Sequence, residues 1–146
     1  MKQILYAMQF TGQAQPSAEA GVLTAKTSSP STRITTTAEG GLKGTIEAIP
    51  GCSAAFESTV TFTGDSSFLE SGSIDFGGGN RFQFITVGQG FLGASVDPTQ
   101  KHGAVIWKLD SGEGQFVGAT GLITSNFTVG GAGEVVDNHF GVIFLA

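Results

Sequence analysis

Apolar and polar residues alternate from the start of the chain: Ile4, Tyr6, Met8 and Phe10 fall on one phase, and Gln3, Ala7, Gln9 and Thr11 on the other. Period two marks a half-buried strand, because successive side chains of a strand leave opposite faces. β-rich runs follow at residues 21–27, 33–37, 42–49, 54–63, 68–76, 81–87, 104–109, 114–127 and 135–145. The breaks between them include Pro50-Gly51, Gly64-Asp65, Gly77-Gly78-Gly79-Asn80 and Asp110-Ser111-Gly112, which is turn chemistry. Parallel strands need crossovers of a dozen residues or more, so these short breaks predict an antiparallel meander. No long window spaces its apolar residues at three and four. The one helical-turn candidate, 94–100, is interrupted by Pro98.

A meander with apolar residues on both phases of several strands would expose long sticky edges, and closure removes them. The expected fold is all-β: a closed antiparallel eight-stranded barrel, lipocalin-like, with residues 1–146 as a single domain. The last strand sharpens this expectation. One phase reads Val136, Asn138, Phe140, Val142, Phe144, and the other Val135, Asp137, His139, Gly141, Ile143, Leu145. One of these largely apolar faces must line the interior and the other must meet a cover. The simplest cover is another subunit, so a homo-oligomer, a dimer or trimer, is expected.

Composition supports strands and narrows the partners. Glycine supplies 23 residues and charged residues only 13%, which suits turns and weakly charged strands over helices. Seven Lys and Arg stand against twelve Asp and Glu, for a net charge of −5, and the basic residues are scattered. Nothing there would condense onto phosphates, so no nucleic-acid partner is expected. No apolar run is long enough to span a bilayer and the first ten residues are too short for a signal peptide, so no membrane partner and a cytoplasmic location are expected. A lone Cys52 cannot form an internal disulfide, which fits a reducing compartment.

Residues 88–93 read Gly-Gln-Gly-Phe-Leu-Gly, the dinucleotide fingerprint, with Asp110 about twenty residues on. A pyrophosphate needs a helix directly after those glycines, whereas this chain offers Pro98 and then the strand at 104–109. The densest polar constellation is elsewhere. Asp137 and His139 share a face, and the hairpin through Gly130-Gly131-Ala132-Gly133 sets Ser125 and Asn126 opposite them. Inside an apolar cavity an imidazole held by a carboxylate can act as a general acid or base; at the mouth or on the outer surface the same pair is a structural hydrogen bond.

Glu47, Glu57, Glu70 and Asp75 would be acids of raised pKa if they pointed inward; most are expected not to, and Glu47 and Glu57 fall on the solvated phase of two neighbouring strands. Tyr6 and Trp107 sit on apolar phases, as core residues or as the single phenol and indole donors of a lumen. Cys52 has no nearby His to activate it. With only His102 and His139 the spacing assembles no metal site, and no cofactor is expected.

Residues 72–84 (GSIDFGGGNRFQF) and 109–121 (LDSGEGQFVGATG) resemble the allene oxide cyclase-like barrel superfamily. The second motif, glycine–x–glycine–x–phenylalanine–x–glycine–x–x–glycine, is the more specific; dirigent proteins carry looser versions. The resemblance runs from Ser71 to the C-terminus, with an echo at Tyr6 and Pro16. It implies an eight-stranded barrel with a lipocalin-like cavity, in which Gly112, Gly114, Gly118 and Gly121 form a sharp corner and Phe116 plugs one end. The family's first-strand glutamate, which stabilises a developing positive charge, falls at Ala7 here, and a nearby asparagine falls at Gln9. A methyl group cannot stabilise a cation. The resemblance then implies cyclisation by shaping a flexible chain through enforced proximity.

The expected function is a cofactor-independent cyclase or isomerase acting on a small hydrophobic, polyketide- or lipid-like molecule in the lumen. His139, Asp137 and Tyr6 are the candidate catalytic residues, and Gln9, Trp107, Asn126, Phe82 and Phe84 the candidate ligand contacts. The alternatives are a non-catalytic carrier of an apolar metabolite and a plugged structural barrel. Cavity volume discriminates, since a lumen below about 300 Å³ would hardly admit a metabolite.

Overall fold

The computed structural model describes residues Met1–Ala146. In chain order the strands are β1 (Lys2–Pro16), β2 (Val22–Ala38), β3 (Leu42–Phe62), β4 (Ser67–Asp75), β5 (Arg81–Thr86), β6 (Gly90–Ala94), β7 (Gln100–Glu113), β8 (Thr120–Gly130) and β9 (Glu134–Leu145). A 3-10 turn, Gly114–Phe116, links β7 to β8, and no α-helix is present. All pairings are antiparallel. The nine strands form one sheet in the order β3-β2-β1-β9-β8-β7-β5-β4-β6, and additional β3–β4 and β6–β7 pairings close it into a ring. β5 and β6 both lie between β4 and β7.

Strand phase places the core. Tyr6 and Phe10 of β1, Phe56 of β3, Phe68 and Ile74 of β4, Phe82 and Phe84 of β5 and Trp107 of β7 all point inward and are buried. The aromatic rings stack through the centre, with centroids 5.4 Å apart for Phe56 and Phe84 and 4.3 Å for Phe84 and Trp107. On β9 the inward phase is Val135, Asp137, His139 and Ile143, while Val136 and Phe140 are exposed outside. Phe116 closes one end against Phe76 and Phe82, at 5.4 and 5.2 Å. Its corner depends on glycine: Gly114 has φ +62°, and a Cβ on Gly112 would run into the Phe116 backbone. Gly112→Ala should therefore loosen this corner and cost about 1–3 kcal/mol in chemical denaturation, from overpacking against backbone that cannot move aside.

Several boundaries differ from the sequence reading. The runs at 21–27 and 33–37 are one 17-residue strand, and those at 42–49 and 54–63 are one strand of 21. Pro50-Gly51 is no turn: the β2–β3 register passes from Pro30↔Ser53 to Ser31↔Ile49, so 50–52 bulge out of a ladder that continues on both sides. Thr-rich flanks at 32–37 keep the chain extended past the break. Residues 94–100 form no helix. The Asp97 carboxylate instead accepts from the Thr99 backbone N–H and hydroxyl in a tight turn. The fingerprint glycines Gly90 and Gly93 lie in β6, so no helix N-terminus follows them. Residues 114–119 precede β8 as the 3-10 corner. No helix is long and apolar enough to cross a membrane.

Candidate functional site

β9 carries Asp137 and His139 on its inward phase, and β8 sets Ser125 opposite His139. Tyr6, on β1 opposite Gly141, reaches diagonally to the imidazole. The result is a buried chain of hydrogen bonds: Tyr6 Oη to His139 Nδ1 at 2.9 Å, His139 Nε2 to Asp137 Oδ2 at 2.8 Å, and Ser125 Oγ donating to Asp137 Oδ1 at 2.6 Å. Burial, and then the negative charge of Asp137, hold the Tyr6 phenol well above its usual pKa, so it stays a neutral donor. Assigned from that pattern, the Tyr6 O–H donates to Nδ1, and the ring proton of a neutral imidazole lies on Nε2, facing Asp137. Phe10 stacks on the imidazole at 4.5 Å and Trp107 meets it edge-on at 5.0 Å, locking its plane.

A second carboxyl completes the site. Glu70 of β4 is buried, its Oε1 accepting from Ser58 Oγ at 2.6 Å and its Oε2 from Trp107 Nε1 at 3.2 Å. Burial is the largest influence and pushes its pKa up; the Ser58 hydrogen bond lowers it, the charge on Asp137 raises it, and the Trp107 hydrogen bond lowers it, for a net value of about 8. Glu70 thus keeps its proton at neutral pH. Of the four strand acids that the sequence offers as candidates for a raised pKa, Glu70 is the one that points inward. Phase was the overlooked signal, because Glu70 stands two residues from Phe68 and four from Ile74, both inward. The other acids do lie outside: Glu57 faces Lys26 at 4.0 Å, Glu47 faces Arg33 at 3.5 Å, and exposed Asp75 accepts from the Gly77 N–H.

Tyr6, Asp137 and His139 are thus brought together, with Trp107 bridging to Glu70. Phe84 packs on Trp107, whereas Phe82 belongs to the plugged end with Phe116. Gln9 and Asn126 are corrected as interior contacts. Gln9 Nε2 donates to Asn138 Oδ1 at 2.9 Å, and Asn138 Nδ2 donates to the Asn126 carbonyl at 3.3 Å, all on the outer face. Each is one residue out of phase with an inward neighbour, Phe10 and Ser125, so period two forbids both from the interior.

Glu70 and Asp137 lie at the bottom of a mostly apolar well of about 60 Å³, whose partly exposed rim includes Leu23, Phe62, Leu92 and Val129. That volume is well under the roughly 300 Å³ of a ligand pocket and holds only a few waters. The same four rim residues also border an open groove of about 400 Å³ reaching Pro98 and Lys101, so well and groove adjoin. A hollow of about 410 Å³ is a polar depression around Lys26, Glu57 and Arg81, and holds none of Tyr6, Glu70, Asp137 or His139.

Thr27 Oγ1, in the wall of the well, is buried without a hydrogen-bond partner. An unsatisfied buried hydroxyl costs about 1–3 kcal/mol, so Thr27→Val is expected to leave thermal stability unchanged or raised. A lowered melting temperature would show that a fixed water already satisfies this hydroxyl.

No group of three or more His, Cys, Asp or Glu side chains is placed to hold a metal ion, and Cys52 is exposed and unpaired. Comparison with models of known families, with curated proteins and with solved structures finds no match. No match supports the likeness to allene oxide cyclase-like barrels, which therefore rests on sequence motifs alone.

Proposed function

We propose that this protein is a cofactor-independent acid–base catalyst of the isomerase or cyclase type, acting on a small hydrophobic molecule. The substrate lies in the open groove with its reacting end in the well. One observation carries this reading: two carboxyl groups share one apolar well in different surroundings, Glu70, whose pKa burial raises to about 8, and Asp137, hydrogen-bonded to Ser125 and His139. Two carboxyl groups in unlike surroundings can supply an acid and a base without a cofactor.

In the reaction, Asp137 takes a proton from carbon beside a carbonyl or allylic oxygen, and Glu70 donates a hydrogen bond to that oxygen as negative charge gathers there. Asp137 then returns the proton to another carbon; with an epoxide substrate the electron pair instead bonds to an epoxide carbon, the C–O bond there breaks, Glu70 protonates the released oxygen, and the proton on Asp137 passes back to Glu70 through water. His139, held by Tyr6, orients Asp137. Counting β5 and β6 as one interrupted strand gives the ring eight positions, the number in an allene oxide cyclase-like barrel, and this supports kinship of architecture. Unpaired Cys52 supports a reducing, cytoplasmic setting.

The small enclosed volume favours a second reading, a filled scaffold or a carrier that binds only at the rim. The test is incubation in D₂O with a hydrophobic β,γ-unsaturated ketone and with a linear polyene epoxide. NMR follows product and deuterium uptake, and quenching of the single Trp107 reports binding. Turnover falling about a hundredfold in Glu70→Gln and in Asp137→Asn, with folding intact, is the expected result. Quenching without turnover would establish a carrier and neither signal a filled scaffold; either would overturn the catalytic reading.

A further inference from the structure

The ladder between β1 and β2 stops early. Its last pair is Thr11↔Ser28, and from Ser31 onward β2 pairs with β3 alone, from Ser31↔Ile49 to Ala38↔Leu42. Residues 31–38 and 42–49 therefore form a two-stranded arm, almost wholly exposed. Along Lys2–Phe10, β1 is paired only with β9, and its other edge is bare. A lone hairpin is marginally stable in water, and a bare edge is an invitation to pair. Between arm and edge lies an apolar cleft of about 360 Å³, bordered by Ile4, Leu5, Met8, Ser31 and Thr32.

The two unpaired elements fit one another. Counting on from Thr11↔Ser28 would set Met8 opposite Ser31, Leu5 opposite Ile34 and Lys2 opposite Thr37, seven residues against seven. Leu5 is 68% and Ile34 40% exposed. Leu5 already faces Val142, which faces Leu122, and Ile34 already faces Ile46. The continued register would join these into one apolar row, Ile46–Ile34–Leu5–Val142–Leu122, across five strands.

The bend at Pro30 keeps the arm from its own edge. Ser29 Oγ and Thr32 Oγ1 both donate to the Pro30 carbonyl, at 2.8 and 2.9 Å, and Pro30 has no N–H to continue the ladder. Opposite it, residues 50–52 bulge from β3, so both strands of the arm are irregular at the same level. An arm held away from its own subunit can still reach another.

Charge permits this. The arm carries Arg33 and Lys43 against Glu39 and Glu47, so it is neutral on a chain of net charge −5 and two copies meet there without repulsion. Size permits it as well. In a reciprocal pair each copy commits fourteen residues to the two seams through backbone pairing, before any contact across the apolar rows is added. A standard interface uses about 20–30 residues a side.

We infer that the protein is a two-fold dimer formed by arm exchange, in which residues 31–37 of each copy add as a strand to the Lys2–Met8 edge of the other. The test places cysteines at Leu5 and Ile34 in a Cys52→Ser background. Directly opposed residues in an antiparallel pair have Cα atoms about 4.5–5.5 Å apart, within disulfide reach. The expected products are a covalent dimer on a non-reducing gel and, for the unmodified protein, the mass of two chains in sedimentation at micromolar concentration. Ile34→Lys should raise the dimer dissociation constant at least tenfold while the circular dichroism spectrum stays the same. A disulfide within one chain would mean that the arm closes on its own edge. That result, a monomeric unmodified protein, or a dimer indifferent to Ile34→Lys would each overturn the inference.

Discussion

Glu70→Gln is expected to be more stable than the parent protein at pH 8, by about 4 kcal/mol, and to match it near pH 4.5. The reason is proton linkage. In the unfolded chain the carboxyl titrates at its ordinary value of 4.5, whereas in the folded protein burial holds it at about 8. Between those values the folded state keeps a proton that the unfolded state releases. Stability therefore falls as pH rises, by about 1.4 kcal/mol per pH unit, and the contribution present below 4.5 is lost by pH 8. The amide keeps an acceptor for Trp107 Nε1 and offers Ser58 a donor, yet has nothing to titrate. Urea denaturation of both proteins at several pH values from 4.5 to 8.5 checks this. Parallel profiles would mean that Glu70 does not carry a raised pKa.

The second large effect is Trp107→Ala, for which a loss of about 3–5 kcal/mol is expected. This is a substantial share of the 5–15 kcal/mol that holds a domain of ordinary stability together. Trp107 is fully buried, packed on Phe84 at 4.3 Å, and set against Phe56 at 5.7 Å and His139 at 5.0 Å. Truncation removes that packing and leaves Glu70 Oε2 in the interior without its indole donor. Trp107→Phe keeps a six-membered ring in the core but removes the N–H with the rest of the indole, so it should cost less than the alanine variant while still leaving Glu70 Oε2 without its donor. Since the Trp107 hydrogen bond lowers the Glu70 pKa, Trp107→Phe should also carry the Glu70 titration to higher pH. An unmoved pH profile in that variant would separate the indole from the carboxyl.

How much of this was legible beforehand differs from one residue to the next. The phase holding Ile4, Tyr6, Met8 and Phe10, and that holding Asp137 and His139, could be read directly, and the structure brings Tyr6, Asp137 and His139 into one hydrogen-bonded chain. The glycines around Phe116 announced the corner that it plugs. Glu70 was named as an acid of raised pKa if inward but not chosen for the site, because residue type was weighed above phase: a glutamate suggests solvent, but its neighbours Phe68 and Ile74 pointed inward. Gln9 and Asn126 went astray for the converse reason, with polarity and family likeness set above an alternation that excluded both. Pro50-Gly51 looked like a turn, and the long β2–β3 ladder absorbed it as a bulge, since pairing on both sides outweighs one local break.

The sequence by itself determined which side chains share a face, because an extended chain alternates regardless of its surroundings. It also determined that consecutive strands run antiparallel, because its breaks are too short for anything else. Only the tertiary structure decided that β1 meets β9 to close the ring, that Glu70 and Asp137 of distant strands share one well, and that this well encloses about 60 Å³. Those outcomes depend on how rings from six strands fill a common interior, and the volume left over is a property of all of them packed together.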